Sequence, residues 1–92
     1  MAEAKEEGEV LRVSGDLTFA TVAGLARQSS GWNPRVSAID LAAVGECDSA
    51  GLALLLEWRR RARREGIDVV YRNVPPRLLQ LARISELDTF LA

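Results

Sequence analysis

The chain of 92 residues contains no histidine, which removes the commonest general base and the commonest metal ligand together. Its single cysteine, Cys47, has no partner for an intramolecular disulfide, so nothing points to a secreted fold stapled by bridges. Lys5 is the one lysine, and 12 basic against 13 acidic residues leave a net charge of −1. A general nucleic-acid binder draws its affinity from clustered cations that neutralise phosphates, and this balance argues against one. No apolar run approaches the roughly 20 residues needed to span a bilayer. The first nine residues carry four glutamates and one lysine, the reverse of a basic signal-peptide start. The chain is therefore expected in the cytosol, with residues 1–8 as a flexible, solvated lead-in. The phosphate-cradling pattern G-x-x-x-x-G-K-[ST] has no match either, and no cofactor or metal is expected.

What is present is the balance of a folded domain: 48% apolar and 27% charged residues. The length suits one domain, placed at residues 9–92. Val10, Leu11 and Val13 read as a strand closed by a turn at Ser14-Gly15-Asp16, with Leu17 able to extend a hairpin. From Thr18, taken as an N-cap, Phe19, Val22, Ala23, Leu25 and Ala26 follow the three-and-four spacing of an amphipathic helix. The cluster Ser29-Ser30-Gly31-Trp32-Asn33-Pro34 breaks it, and Val36 to Leu41 reads as a buried strand. Ala42 to Cys47 is then a short connection to a long helix that begins at Asp48-Ser49-Ala50-Gly51 and runs to about Glu65. Gly66 supplies the left-handed C′ residue that ends it. Ile67 to Arg72 reads as a strand, Pro75 and Pro76 open a helix with Leu78, Leu79, Leu81, Ala82 and Ile84 on its apolar side, and Ser85-Glu86-Leu87-Asp88 resembles a capped start of a last short helix. Strand and helix alternate throughout. That order predicts a single α/β domain in which right-handed crossovers pack helices on a mostly parallel sheet.

In such a sheet, functional surface collects where loops leave the carboxyl ends of strands and enter helix N-termini, and Asp48 and Ser49 occupy that place. One of them caps the helix, since both residue types are preferred caps, and capping and contact can coexist. Behind them Leu52, Ala53, Leu54, Leu55 and Leu56 are consecutive apolar positions, which at about 100° per residue encircle the helix. One side can bury against the sheet. The other either packs under neighbouring loops or forms an apolar patch beside the serine.

The stretch from Val36 to Leu87 resembles a STAS domain, with a strand, a D-S-x-G-L helix start, a glycine followed by an apolar strand, and a P-x-x-L-x-x-L-x-x-I helix in the expected order. Within that family it is most similar to the MlaB-like branch, chiefly through the Asp48-Ser49-Ala50-Gly51-Leu52 start and the leucines after it. The resemblance implies a non-enzymatic subunit that binds the cytoplasmic ATPase (MlaF-like) of a phospholipid-transport ABC complex maintaining outer-membrane lipid asymmetry. Such a subunit reaches the inner membrane only through its partner. It also implies that Asp48, Ser49, Ala50, Gly51 and Leu52 form the partner-binding segment, with Ser49 in the contact. A second branch, the anti-sigma-factor antagonists, implies a serine kinase or anti-sigma factor as partner and Ser49 as phosphoacceptor.

Other residues have plainer readings beside tempting ones. Arg59, Arg60, Arg61, Arg63 and Arg64 suggest a headgroup or partner contact, but Glu57 pairs at i,i+4 with Arg61 and cations suit a helix C-terminus, so a solvated face is expected. Trp58 shares a stripe with Leu55 and Ala62 and is expected in the core or at its edge. Trp32 either covers the end of the first helix or reaches a partner. Cys47 has no basic neighbour in the sequence to activate it and reads as a small buried side chain. Asp40 invites comparison with a phosphate-receiving aspartate, yet the lysine such a site needs is absent, and bonding to neighbouring backbone is expected.

Overall fold

The computed structural model describes residues 2–28 and 36–86. Along them run β1 (Glu3–Glu7), β2 (Val10–Leu17), α1 (Val22–Gln28), β3 (Ala38–Cys47), α2 (Ser49–Arg64), β4 (Val70–Arg72) and α3 (Pro76–Ile84). The strands form one sheet in the order β1-β2-β3-β4; β1 is antiparallel to β2, and the other two pairs are parallel. Because β2, β3 and β4 follow one another in one direction, right-handed crossovers carry α1 and α2 to the same face. That face holds the core. Leu11, Val13 and Leu17 of β2 and Ile39 and Leu41 of β3 lie under Leu25, Leu55 and Trp58, none more than 1% exposed. Trp58 is thus a core residue, as its stripe predicts.

The expected lead-in is in fact an edge strand. Glu3 to Glu7 pair with Ser14 to Val10, joined by a two-residue turn in which Gly8, at φ 64°, takes the left-handed conformation such hairpins need. Glutamate-rich sequence has little strand preference of its own, and the pairing is supplied by context. Ala4 N–H donates to Gln28 Oε1 at 2.9 Å and Gln28 Nε2 donates to Ala2 O at 3.3 Å, which fastens the strand to the end of α1. Its charged side chains suit an edge that is to stay unpaired.

Two expected loops are also strand. β2 continues through Ser14-Gly15-Asp16, and β3 continues through Ala42 to Cys47, because the two segments pair with each other as far as Leu17 and Cys47. Register shifts at Arg12/Ser14 and Gly15/Leu17, with Gly15 at φ 84°, absorb the glycine that suggested a turn. The hairpin lies on the N-terminal side of β2 and not after it. The first helix starts at Val22, later than the Thr18 cap implies. Thr18 instead closes a turn in which its carbonyl accepts from the Thr21 and Val22 N–H groups at 2.9 and 3.0 Å, and its own N–H donates to Thr21 Oγ1 at 3.0 Å. The strand expected over Ile67 to Arg72 pairs only at Val70–Arg72.

The ends of α2 and α3 follow the sequence. Gly66, at φ 79°, donates its N–H to Arg63 O at 3.0 Å, and Ile67 donates to Ala62 O at 3.0 Å, the paired bonds of a Schellman stop. Pro76 opens α3 behind Pro75. Trp32 and its turn lie outside the described residues, as does the last helix beyond Ser85 and Glu86, which form a turn.

On the opposite face of the sheet, Lys5, Arg12, Asp40 and Arg72 lie side by side across all four strands. Asp40 is 8% exposed and fully engaged. Its Oδ2 accepts from Arg12 Nη1 at 2.8 Å, and its Oδ1 accepts from Ala42 N–H and Asn73 Nδ2, each at 3.0 Å. The backbone bond expected of Asp40 is present. The Asn73 amide and the Ala42 N–H, with Arg12 and Arg72 alongside, hold its carboxyl below the usual carboxylate range against the opposing pull of burial.

Trp58→Ala should destabilise the domain by about 3–5 kcal/mol in urea unfolding, the usual cost of an emptied aromatic core site. A carboxyl whose pKa is lowered by folding adds stability above its unfolded value of about 3.9 and loses it as pH falls through the folded value. Asp40→Asn should therefore lower Tm at neutral pH and flatten the decline of Tm between about pH 4 and 2.

Candidate functional site

The site is built where β2 and β3 end side by side at Leu17 and Cys47 and the chain turns into α2. Asp48, in extended backbone at φ −137° and ψ −173°, is the N-cap. Its N–H donates to Leu17 O at 3.2 Å. Its Oδ1 accepts from Ala50 N–H at 2.9 Å and Gly51 N–H at 3.2 Å, satisfying two of the free donors of the first turn. Its Oδ2 reaches across the β2–α1 turn to accept from Phe19 N–H at 3.0 Å. These bonds, with Phe19 the strongest, hold the Asp48 carboxyl below its ordinary range, with desolvation acting the other way.

Gly51 is the residue that lets α2 sit so low. A Cβ there would run into the Leu17 carbonyl oxygen and its side chain, so only glycine permits the first turn of α2 to rest on the end of β2. Cys47 beside it is 8% exposed, and burial pushes its thiol pKa up, so it is a packed side chain as expected and not an activated thiolate.

The five residues expected to meet a partner separate by burial. Ser49, the first residue of α2, is exposed; Asp48 and Ala50 are half-buried; Gly51 and Leu52 are buried and face inward. The leucines do not supply an outer patch, since Leu52, Leu54 and Leu55 are buried and Leu56 is half-buried. The apolar surface comes mostly from other residues, with Leu54 the one leucine of the run that reaches it. An open groove of about 460 Å³ runs between α1 and α2, lined by Phe19, Val22, Ala23 and Ala26 on one side and Ala50, Ala53 and Leu54 on the other. Phe19, at its rim, is 83% exposed.

Phe19 is the site residue that the spacing argument misplaced, because it was counted on the buried side of a helix beginning at Thr18. The available signal was Thr21, whose carbonyl accepts the Leu25 N–H: a helix capped there leaves Phe19 in the preceding turn. Of the arginines of α2, Arg60, Arg63 and Arg64 are exposed while Arg59 and Arg61 are half-buried, so the solvated face holds for only part of the cluster; Arg60 and Arg64 each meet Glu57 at 3.4 Å, and Arg63 meets Asp68 at 3.8 Å.

Comparison with known proteins gives a consistent picture. The family described as "Mlab, STAS domain" matches residues 1–92. Among solved structures, the anti-sigma factor antagonist SpoIIAA in its unphosphorylated form is similar at TM-score 0.68 and 16% identity, over 91% of this chain and 83% of that one. A structure described as Mglu is similar at TM-score 0.60 and 23% identity, over 80% of this chain but only 19% of its own length. At these identities the likenesses show the fold. No curated protein matches the chain.

Alanine at a helical glycine normally gains about 1 kcal/mol. At position 51 the contact with Leu17 reverses the sign: Gly51→Ala should lower stability by roughly 1–3 kcal/mol, read as a fall in Tm of several degrees.

Proposed function

The chain belongs to the STAS family in its MlaB-type form, and from that membership we propose that it is a non-enzymatic subunit binding the cytoplasmic ATPase (MlaF-like) of a phospholipid-transport ABC complex. There it supports assembly or activity of the complex that maintains outer-membrane lipid asymmetry. Its place is the cytoplasmic side of the inner membrane, held through the ATPase; among the described residues no helix is long and apolar enough to cross a membrane. STAS domains are protein-interaction modules. The observation that carries the reading here is the exposed Ser49 hydroxyl at the start of α2, next to an open apolar groove. A neutral hydroxyl flanked by apolar surface suits a dry protein interface.

The chemistry of the site also favours docking over catalysis. Asp48 already accepts three N–H bonds, and Cys47 is buried with its thiol pKa raised. Neither is placed as a free base or nucleophile. A second reading, an anti-sigma-factor antagonist phosphorylated on Ser49 by a serine kinase, is favoured by the same exposure and by the SpoIIAA-like fold. Both readings make charge at Ser49 decisive. A phosphoryl group adds about −1.5 to −2, which the N-terminus of α2 tolerates but a partner's apolar surface cannot desolvate without a counter-ion.

Co-expression with an ABC ATPase subunit should yield a stable complex on size exclusion, and Ser49→Glu should abolish it while leaving Tm within about 1 kcal/mol equivalent of the parent. Full complex formation by Ser49→Glu would reject the contact. Incubation with a serine kinase and ATP, read by intact mass, separates the second reading: one added phosphate, absent in Ser49→Ala, supports it.

A further inference from the structure

We infer that Asp48 is a positioning residue for Phe19, and that Phe19 is the aromatic anchor of the docking groove. The two oxygens of one carboxylate act on different elements: Oδ1 caps α2 through Ala50 and Gly51, while Oδ2 holds the backbone of Phe19 at 3.0 Å. The turn around Phe19 is closed on itself by Thr21, whose Oγ1 donates to Asp16 O at 2.7 Å and to Thr18 O at 3.1 Å. Bonds from β3 and the start of α2 then reach the turn and the strand end before it. Asp48 N–H donates to Leu17 O and Glu46 N–H to Asp16 Oδ1, both before the turn. The bond to Asp48 Oδ2 falls on Phe19 itself.

Phe19 forms one rim of the groove and α2 the other. A side chain 83% exposed contributes nothing to the core, yet its backbone is fixed. A large aromatic that a partner covers on docking can carry much of the binding energy, and a backbone already fixed lowers the entropy lost. The inference rests on the docking reading only for the part played by Phe19 in binding; the action of Asp48 on Phe19 stands on the isolated chain.

Asp48→Asn separates the two jobs. Asparagine caps helices as well as aspartate, but it has one acceptor oxygen, and its amide nitrogen cannot accept from Phe19 N–H. Amide exchange on the isolated chain should show protection at Phe19 falling about five- to tenfold, the worth of one net hydrogen bond, with Ala50 and Gly51 nearly unchanged. Asp48→Ser, another one-oxygen cap, should do the same. In the parent protein the Phe19 amide shift should titrate with the Asp48 carboxyl below its ordinary range, a readout that needs no variant. Unchanged Phe19 protection in both variants, or a Phe19 shift that does not follow the carboxyl, overturns the positioning role. With the ATPase as probe, Phe19→Ala should weaken binding roughly 30-fold at unchanged Tm, Asp48→Asn should weaken it less, and the double variant should bind no worse than Phe19→Ala. Additive losses overturn the coupling, and parent-like binding by Phe19→Ala overturns the anchor. Failure of the parent chain to bind the ATPase rejects that partner while the amide measurements still decide the role of Asp48.

Discussion

The close approach of α2 to the end of β2 underlies every feature of the candidate site. With no side chain at Gly51, the first helical turn settles against the Leu17 carbonyl, and at that depth the Asp48 carboxylate lies within reach of both its own helix and the turn bearing Phe19. A helix standing off by the width of a methyl group would keep its cap but lose the bridge. The bridge from Asp48 to the Phe19 backbone follows from that packing distance.

Two carboxylates on the two sides of the domain show how the fold treats charge. Asp40 is buried on the face without helices and is neutralised by Arg12 while Asn73 and Ala42 fill its remaining acceptor capacity. It links β2, β3 and the turn after β4. Among the described residues no cation pairs with Asp48, whose oxygens accept from N–H groups. Carboxylates held in this way fix geometry, and with their pKa values lowered they are poor bases at neutral pH. The surface around Ser49 thus combines a fixed acid, a neutral hydroxyl and an apolar groove, and the proposed docking rests on that combination.

The alternation of strand and helix, the extent of α2, its stop at Gly66 and the proline start of α3 were legible in the residues, because each depends on local preferences: caps, breakers and three-and-four spacing. So was the placement of Asp48 and Ser49 at the helix entrance. Strand lengths were not. Glu3–Glu7 and Ala42–Cys47 carry little strand character in their composition, and each becomes strand only because a neighbour offers a matching row of backbone groups. Gly15, which locally means a turn, is absorbed as a bulge once two strands pair around it.

What the sequence alone determined about this protein is the class of its fold, its family and the position of the hydroxyl at the head of the central helix, since these lie in contiguous residues whose spacing carries the information. Only the tertiary structure decided which of those residues face outward. Gly51 and Leu52 turn in, Ser49 turns out, and the apolar surface beside it comes mainly from Phe19, Val22 and a row of alanines on two helices, with Leu54 the one leucine of the run that lines it. The reason is that a run of leucines encircles its helix and cannot say which sides are covered; that depends on the sheet, on α1 and on α3, which reach α2 from distant parts of the chain.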